Sequence, residues 1–275
     1  MKTICIISKK DGITLLQFLA KKLDISKKKA KKLIDTRNVL VNRQRIWITR
    51  HKLNRGDKVE IILPHENPIK KHKPQVLFEN NNYLIVNKTA GILSNGKDSI
   101  ESCLRIQLKM PLLTAAHRLD KDTTGCLLLA KNQEALQKVI SLFRIRHVKK
   151  TYHAISAGQI ICNKRTITIP IDSQCAITHM ETLDANKDAS HLLINTETGR
   201  THQIRKHLAI LRHPVLGDRC HGTQRQLSDK LIGIARQMLH ASKLMFHDPY
   251  TGDKITTSSP LPSDFRKCLK IFNLR

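Results

Sequence analysis

The run Thr114–Lys131, TAAHRLDKDTTGCLLLAK, constrains the fold more tightly than any other stretch of the chain. Leu127, Leu128 and Leu129 form a short apolar run of the kind that makes a buried strand. Asp122, Thr123, Thr124 and Gly125 are turn formers that bend the backbone immediately before it. Asp120 therefore stands at the mouth of a rigid element. Arg118 and Lys121 flank it in sequence, and nearby positive charge favours an ionised carboxylate. A salt-bridged surface loop and a reactive anion at the edge of a core strand are the two readings this tripeptide allows on its own.

The rest of the chain narrows the choice. Lys and Arg number 49 against 22 Asp and Glu, a formal net charge of +27, which points to a polyanionic partner. Residues 1–75 carry 20 of the basic and 6 of the acidic side chains, net +14, so the amino-terminal quarter is the expected electrostatic anchor. The seven cysteines show no CxxC spacing and are odd in number, which fits reduced thiols in a cytosolic protein. The apolar run Ile4–Ile7 is too short for a signal-peptide core, and no later run approaches a membrane span.

In the first 63 residues, Leu15, Leu16, Leu19 and Leu23 recur at helical spacing, as do Ala30, Leu33 and Ile34 behind Ser26, a candidate N-cap. Lys27, Lys28, Lys29, Lys31 and Lys32 make the exposed face of the second helix strongly positive. Val39–Val41 and Ile46–Ile48 read as strands around a turn at Asn42–Arg45, and the alternating Val59, Ile61 and Leu63 follow Gly56-Asp57. The order is helix, helix, hairpin, strand. Residues 64–75, with three prolines and one aliphatic side chain, read as a linker.

From residue 76 to residue 275 strands dominate. Val76–Phe78 and Tyr83–Val86 bracket a turn at Asn80–Asn82. Helices are expected at Ile100–Leu108, ended by Pro111, and around Leu136, Val139, Ile140 and Phe143. FRIRHVKKTYHAISAG, RTITIP, METLDA and SHLLINTET then return to strand. In GRTHQIRKHLAILRHPVLGD, Gly199 allows a sharp turn, and Ile204, Leu208 and Leu211 recur on one helical face with Arg205 beside them. Leu239–Phe246, a turn at Pro249–Gly252 and a strand from Lys254 lead to a closing helix over Leu261–Phe272.

Several of these segments carry a resemblance. HRLDKDTTG resembles the HRLDxxTSG signature of the RluA family of pseudouridine synthases, with Thr124 for the usual serine. NKTAG resembles the family's NKPAG, with Thr89 for proline, and KTYHA resembles its KxYxA segment. GRTHQIRKHLAILRHPVLGD is a second long match. MLHASKLMFHDPYTG is similar to LHAxxLxFxHPxTG, with a local shift after Phe246. VLVNRQRIWITRHKLNRGDKVEI, with the two helices before it, resembles the S-four RNA-binding domain, although Ile13, Thr14 and Leu15 stand where that domain opens on Arg-Leu-Asp.

What the resemblance implies is an α+β pseudouridine synthase fold, with a mixed, mainly antiparallel central sheet flanked by helices and a small amino-terminal α/β RNA-binding domain. It makes Asp120 catalytic, pairs it with Arg205, and places Tyr152 against the target base. Arg118 fills the space that an extruded uridine leaves, or else makes an ordinary salt bridge. Lys88 either touches RNA or buttresses the site. Lys27, Lys28, Lys31, Lys32, Arg43 and Arg45 are the remaining expected RNA contacts, since lysine and arginine bind phosphates without reading sequence. The implied substrate is uridine in RNA, 23S-type ribosomal RNA above transfer RNA, handled by a cytoplasmic monomer away from any membrane.

The isomerisation needs neither redox chemistry nor energy input. No cofactor is expected, and the chain has neither a GxGxxG nor a GxxxxGK[ST] loop. No metal is expected either: His202 and His207 lie five residues apart, on different helix faces, with no acidic or cysteine ligand close in sequence. Attack on the sugar, attack on the ring and proton abstraction from the ribose all remain open for Asp120. Two other readings compete: a non-catalytic RNA-binding protein of ribosome assembly, and a methyltransferase using Cys126. The latter lacks a cofactor-binding glycine loop, and Cys126 leads into a leucine run where a small buried hydrophobe fits.

Overall fold

Two separate sets of apolar side chains form two cores, and the chain divides accordingly into Met1–Pro68 and Ile69–Arg275. The structure, a computed structural model, describes residues 2–9, 11–36, 38–63, 74–222 and 234–275. The expected linker therefore lies almost wholly outside the described residues.

In the first unit the strands β1 (Lys2–Ile7), β2 (Ile13–Thr14), β3 (Val39–Val41), β4 (Gln44–Arg45), β5 (Lys52–Leu53) and β6 (Lys58–Leu63) accompany the helices α1 (Leu15–Lys22) and α2 (Lys27–Asp35). The main sheet runs β1-β6-β3-β4 and β2 pairs with β5, every pair antiparallel among the described residues of this unit. Both helices start where the sequence places them. Thr14 closes a capping box with Gln17, and the Ser26 hydroxyl accepts the Lys29 N–H. Leu15, Leu19, Ala30 and Ile34 face the core, which leaves Lys27, Lys28, Lys29, Lys31 and Lys32 exposed.

The hairpin differs from expectation. Its return strand is Gln44–Arg45 rather than Ile46–Ile48, because Asn42 and Arg43 both take positive φ (49° and 66°) and close a two-residue turn whose twist matches the strands. The apolar run Ile4–Ile7 belongs to the edge strand β1.

The second unit is built on one sheet. Its strands are β7 (Val76–Glu79), β8 (Tyr83–Lys88), β9 (Thr114–Ala115), β10 (Thr124–Ala130), β11 (Lys149–Ala157), β12 (Lys164–Ile167), β13 (Thr178–Ala185), β14 (Ala189–Thr196), β15 (Leu239–His247) and β16 (Lys254–Ser258). The spatial order is β12-β13-β14-β11-β15-β10-β8-β7, with β16 on β15 and β9 on β10. Only the β10–β15 pair is parallel, so the sheet is mixed and mainly antiparallel. Its described helices are α3 (Ile100–Gln107), α4 (Gln133–Arg144), α5 (Gln203–Ile210) and α6 (Ser263–Ile271).

The leucine run of β10 is apolar on both faces because both are covered. Cys126 and Leu128 join Tyr83, Ile85 and Phe246 under Leu136 and Val139 of α4. Leu127 and Leu129 join Leu84 and Val86 under Ile100 and Leu104 of α3. Ile204 and Leu208 of α5 pack on Ala154, Leu192 and Ile194, and α6 covers Ile155 and Met238. At Gly125 the backbone of β10 meets β15 so closely that a Cβ would lie 2.1 Å from the Ala241 carbonyl oxygen, and its φ of 114° suits glycine alone.

β11 and β14 share a pair of histidines, with His153 Nδ1 and His191 Nε2 2.8 Å apart. Burial, with His191 and His240 beside it, pushes the His153 imidazole down to about 4, and burial lowers His191 too. An unfolded histidine takes up its proton near pH 6.5. Between that pH and 4 the unfolded chain binds more protons, so stability held above pH 6.5 is lost as the pH falls through this window. Thermal midpoints at about pH 7.5 and about pH 5 should differ accordingly, and His153→Gln should narrow the difference.

Candidate active site

A cavity of about 750 Å³ opens on the second unit, with Asp120, Tyr152, His202 and Arg205 in its wall. Asp120 reaches it from the turn before β10. That turn is held carbonyl by carbonyl. The Lys88 ammonium donates to Thr89, Lys121 and Thr123 oxygens, all at 2.9 Å. Arg236 Nη1 donates to the Asp122 oxygen at 3.1 Å. The Ser94 hydroxyl gives to and takes from the Leu119 backbone. Asp120 is thus fixed from both sides, with its own carbonyl accepting the Thr123 N–H. Thr124, where serine is usual, uses its hydroxyl against His240 Nδ1 at 2.8 Å.

Lys88 is a correction to the expected RNA contacts. It is fully buried at the end of β8, and all three ammonium hydrogens are spent on carbonyls. Burial pushes its pKa down to about 7, against the pull of Asp122 and Asp120. Lys88→Met should lower the thermal midpoint markedly, since each buried acceptor left without a donor costs roughly 1–3 kcal/mol. An unchanged melting curve would contradict the buttressing role.

Arg205 sits on α5 and is almost wholly buried. Its Nη1 lies 2.9 Å from Asp120 Oδ2, so the two side chains, 85 residues apart in sequence, meet in one crevice. Its other donors form a fork on Asp218: Nε to Oδ2 and Nη2 to Oδ1, both 2.7 Å. Burial works against the Arg205 cation, but Asp218 and then Asp120 more than compensate and raise its pKa. Burial likewise disfavours the Asp218 anion, yet Arg205 and the Cys220 and His221 N–H groups hold its carboxyl below the usual range. One guanidinium therefore serves two carboxylates, and Asp218 takes the larger share. Neither of the cations flanking Asp120 in sequence supplies the ion pair seen here: both Arg118 and Lys121 are exposed, and Arg118 lines the cavity.

Tyr152, on β11, is partly buried with its ring against the cavity and its hydroxyl near Thr196. Burial first, and the Asp120 charge second, raise its pKa, so the phenol keeps its proton. The sharp turn before α5 does not use Gly199. His202 is the residue in the left-handed region, with φ 57° and ψ 28°. His207 is structural, bonded to Thr178 Oγ1 and the Ile169 carbonyl, and His213 bonds the Ala157 carbonyl. Cys126 is buried, packed as a small hydrophobe in the core under α4, with its thiol pushed up to about 12, foremost by burial.

Asp218 and Arg236 are the parts of the site that sequence reasoning missed. Asp218 closes the GRTHQIRKHLAILRHPVLGD segment, and its Gly-Asp pair reads as an ordinary solvent turn. The available signal was the apolar Val215-Leu216 immediately before it. Gly217 is required there because, at φ 75°, a Cβ would lie 2.0 Å from the Arg236 carbonyl oxygen. Arg236 is buried and forked onto Asp264 at the start of α6.

The family model for RNA pseudouridylate synthase matches residues 82–210, which include Asp120, Tyr152 and Arg205. The uncharacterized RNA pseudouridine synthase YhcT of Bacillus subtilis is 30% identical, with 98% of this chain and 96% of that one covered. Ribosomal large subunit pseudouridine synthase D of Pasteurella multocida is 28% identical over 88% of this chain and 85% of its own length. The corresponding synthase C of Salmonella typhi is 27% identical over 98% and 96%. Among solved structures, human RNA Pseudouridylate Synthase Domain Containing 4 shares the fold, with a TM-score of 0.63 at 24% identity over 73% of this chain and 93% of that one. Human RNA Pseudouridylate Synthase Domain Containing 1 gives 0.58 at 26% identity, over 71% and 87%. With identity sustained along nearly the whole length of both partners and the same fold in solved relatives, the chain belongs to the RluA family of RNA pseudouridine synthases.

Proposed function

We propose that the protein converts specific uridines of large-subunit ribosomal RNA to pseudouridine, with Asp120 as the acting carboxylate, Arg205 as its ionic partner and Tyr152 against the target base. The observation that carries this reading is the Asp120–Arg205 pair inside a cavity large enough for an extruded nucleotide. The reaction breaks the bond between ribose C1′ and uracil N1, joins C1′ to C5, removes the C5 proton and returns one to N1. It requires a carboxylate beside the reacting sugar and base, and Asp120 stands in the cavity wall with Oδ2 on Arg205. Tyr152, as a protonated phenol, stacks on uracil and donates to it. Arg118, exposed at the rim, fills the gap left in the RNA stack, where its planar guanidinium can both stack and donate hydrogen bonds. Arg144, Arg146 and Arg200 on the same rim favour the phosphate backbone.

The first unit acts as an S-four-like RNA-binding domain. Its support is the exposed lysine face of α2, with Arg43 exposed and Arg45 half-buried on the neighbouring hairpin. Replacing Lys27, Lys28, Lys31 and Lys32 together by alanine should weaken RNA binding and flatten its salt dependence by about 0.7–0.9 log units for each phosphate no longer neutralised. In turnover assays KM rises while kcat holds; an unchanged salt slope would remove α2 from the interface. The protein works as a cytoplasmic monomer in this reading. No helix among the described residues is long and apolar enough to cross a membrane, and all seven cysteines are free. Mapping pseudouridine in total RNA from cells with and without the protein tests the substrate. Sites that disappear from large-subunit ribosomal RNA support the proposal, and sites that disappear only from transfer RNA overturn that assignment.

A further inference from the structure

His202 is not needed for the pairing just described, yet it is aimed at the same place. It stands at the start of α5 with a left-handed backbone, and its side chain does not cap the helix N–H groups. The ring lines the cavity, and Nε2 lies 3.8 Å from Asp120 Oδ1, beyond hydrogen-bond length. Its other nitrogen, Nδ1, is 2.9 Å from Nε2 of His221, with the rings set edge to face 5.1 Å apart. His221 is held in turn by its backbone N–H on Asp218 Oδ1. Two imidazoles in series thus lead away from the carboxylate, the second anchored through its backbone on the same Asp218 that Arg205 grips.

We infer that His202 is the base that takes the C5 proton from the rejoined uracil, relaying charge through Nδ1 to His221. The inference rests on the isomerase reading above. In the step, the C5–H bond breaks, its electron pair restores the C5–C6 double bond, and the proton joins His202 Nε2. The proton on Nδ1 passes to His221 Nε2, His221 releases one proton to solvent, and solvent returns one to uracil N1, so the balance is neutral. Arg205 occupies Asp120 Oδ2 and Tyr152 holds its own proton, while His202, in the cavity wall with Nε2 beside Asp120 Oδ1, offers a further acceptor. Burial foremost lowers the His202 pKa, with Arg205 and Lys206 acting in the same direction against Asp120 and Asp218. The resting imidazole is neutral, as a base must be.

The test compares wild-type protein with His202→Asn and His202→Gln on RNA carrying either hydrogen or deuterium at uridine C5. Asparagine tolerates the left-handed backbone, and glutamine is a second replacement should the first fold poorly. Loss of the base should lower kcat by about 10²–10⁴-fold with KM unchanged. A primary deuterium isotope effect at C5, larger than that of the wild type, should appear because proton removal becomes limiting. A folded variant that turns over like the wild type, or slows without that isotope effect, overturns the assignment. A wild type inert on every uridine-containing RNA would instead overturn the isomerase reading, and this inference with it.

Discussion

Arg205→Ala should lose about 3–5 kcal/mol of stability, with activity falling to background, because it strands a charge that has no route to water. That charge is Asp218 rather than Asp120. The Asp218 side chain is completely inaccessible, whereas that of Asp120 is 27% exposed. Without the fork, the Cys220 and His221 N–H groups are what Asp218 keeps among the described residues. Arg205→Lys retains the charge but presents a single point donor where two carboxylates demand a planar fork, so it should recover part of the stability and little of the activity. A double replacement, Arg205→Met with Asp218→Leu, separates the two effects. Removing both buried charges should restore most of the melting temperature and leave turnover abolished. Chemical denaturation of these variants checks the ordering; wild-type stability in Arg205→Ala would mean that the three-residue network does not hold the fold.

Asp120→Asn should do the opposite, abolishing turnover while sparing the fold. Arg205 keeps both hydrogen bonds to Asp218, and the turn is secured through backbone carbonyls by Lys88 and Arg236, none of which involves the Asp120 carboxylate. The loss of one partly exposed partner should shift stability by no more than about 1 kcal/mol. Turnover, which depends on the anion itself, should fall by at least about 10³-fold. Equal melting curves with an absent product signal would set this residue apart from Arg205, whose removal damages both.

The contrast between these variants shows what could be read from the chain and what could not. β10 was legible because its leucines fill both faces of the sheet, and α2 because its small apolar face stands out against five lysines. Arg205 was paired with Asp120 through motif resemblance, since no local pattern spans 85 residues. Its division between two carboxylates was invisible: Asp218 follows a glycine, and only the Arg236 backbone that folds over Gly217 turns this pair inward. Lys88 was ambiguous for a related reason, as a lysine at a strand end is ordinarily solvated, and the three carbonyls that bury it come from two separate turns. The return strand of the hairpin was hard to place because Asn42-Arg43 lacks the glycine that usually marks a two-residue turn.

The most direct check is tritium release from RNA labelled at uridine C5, run side by side for the wild type and Asp120→Asn with RNA retention measured at the same salt concentration. Release by the wild type and none by the variant, with both binding RNA equally, is the predicted result. Equal release by the two proteins would contradict the role given to Asp120, and with it the account of how this crevice works.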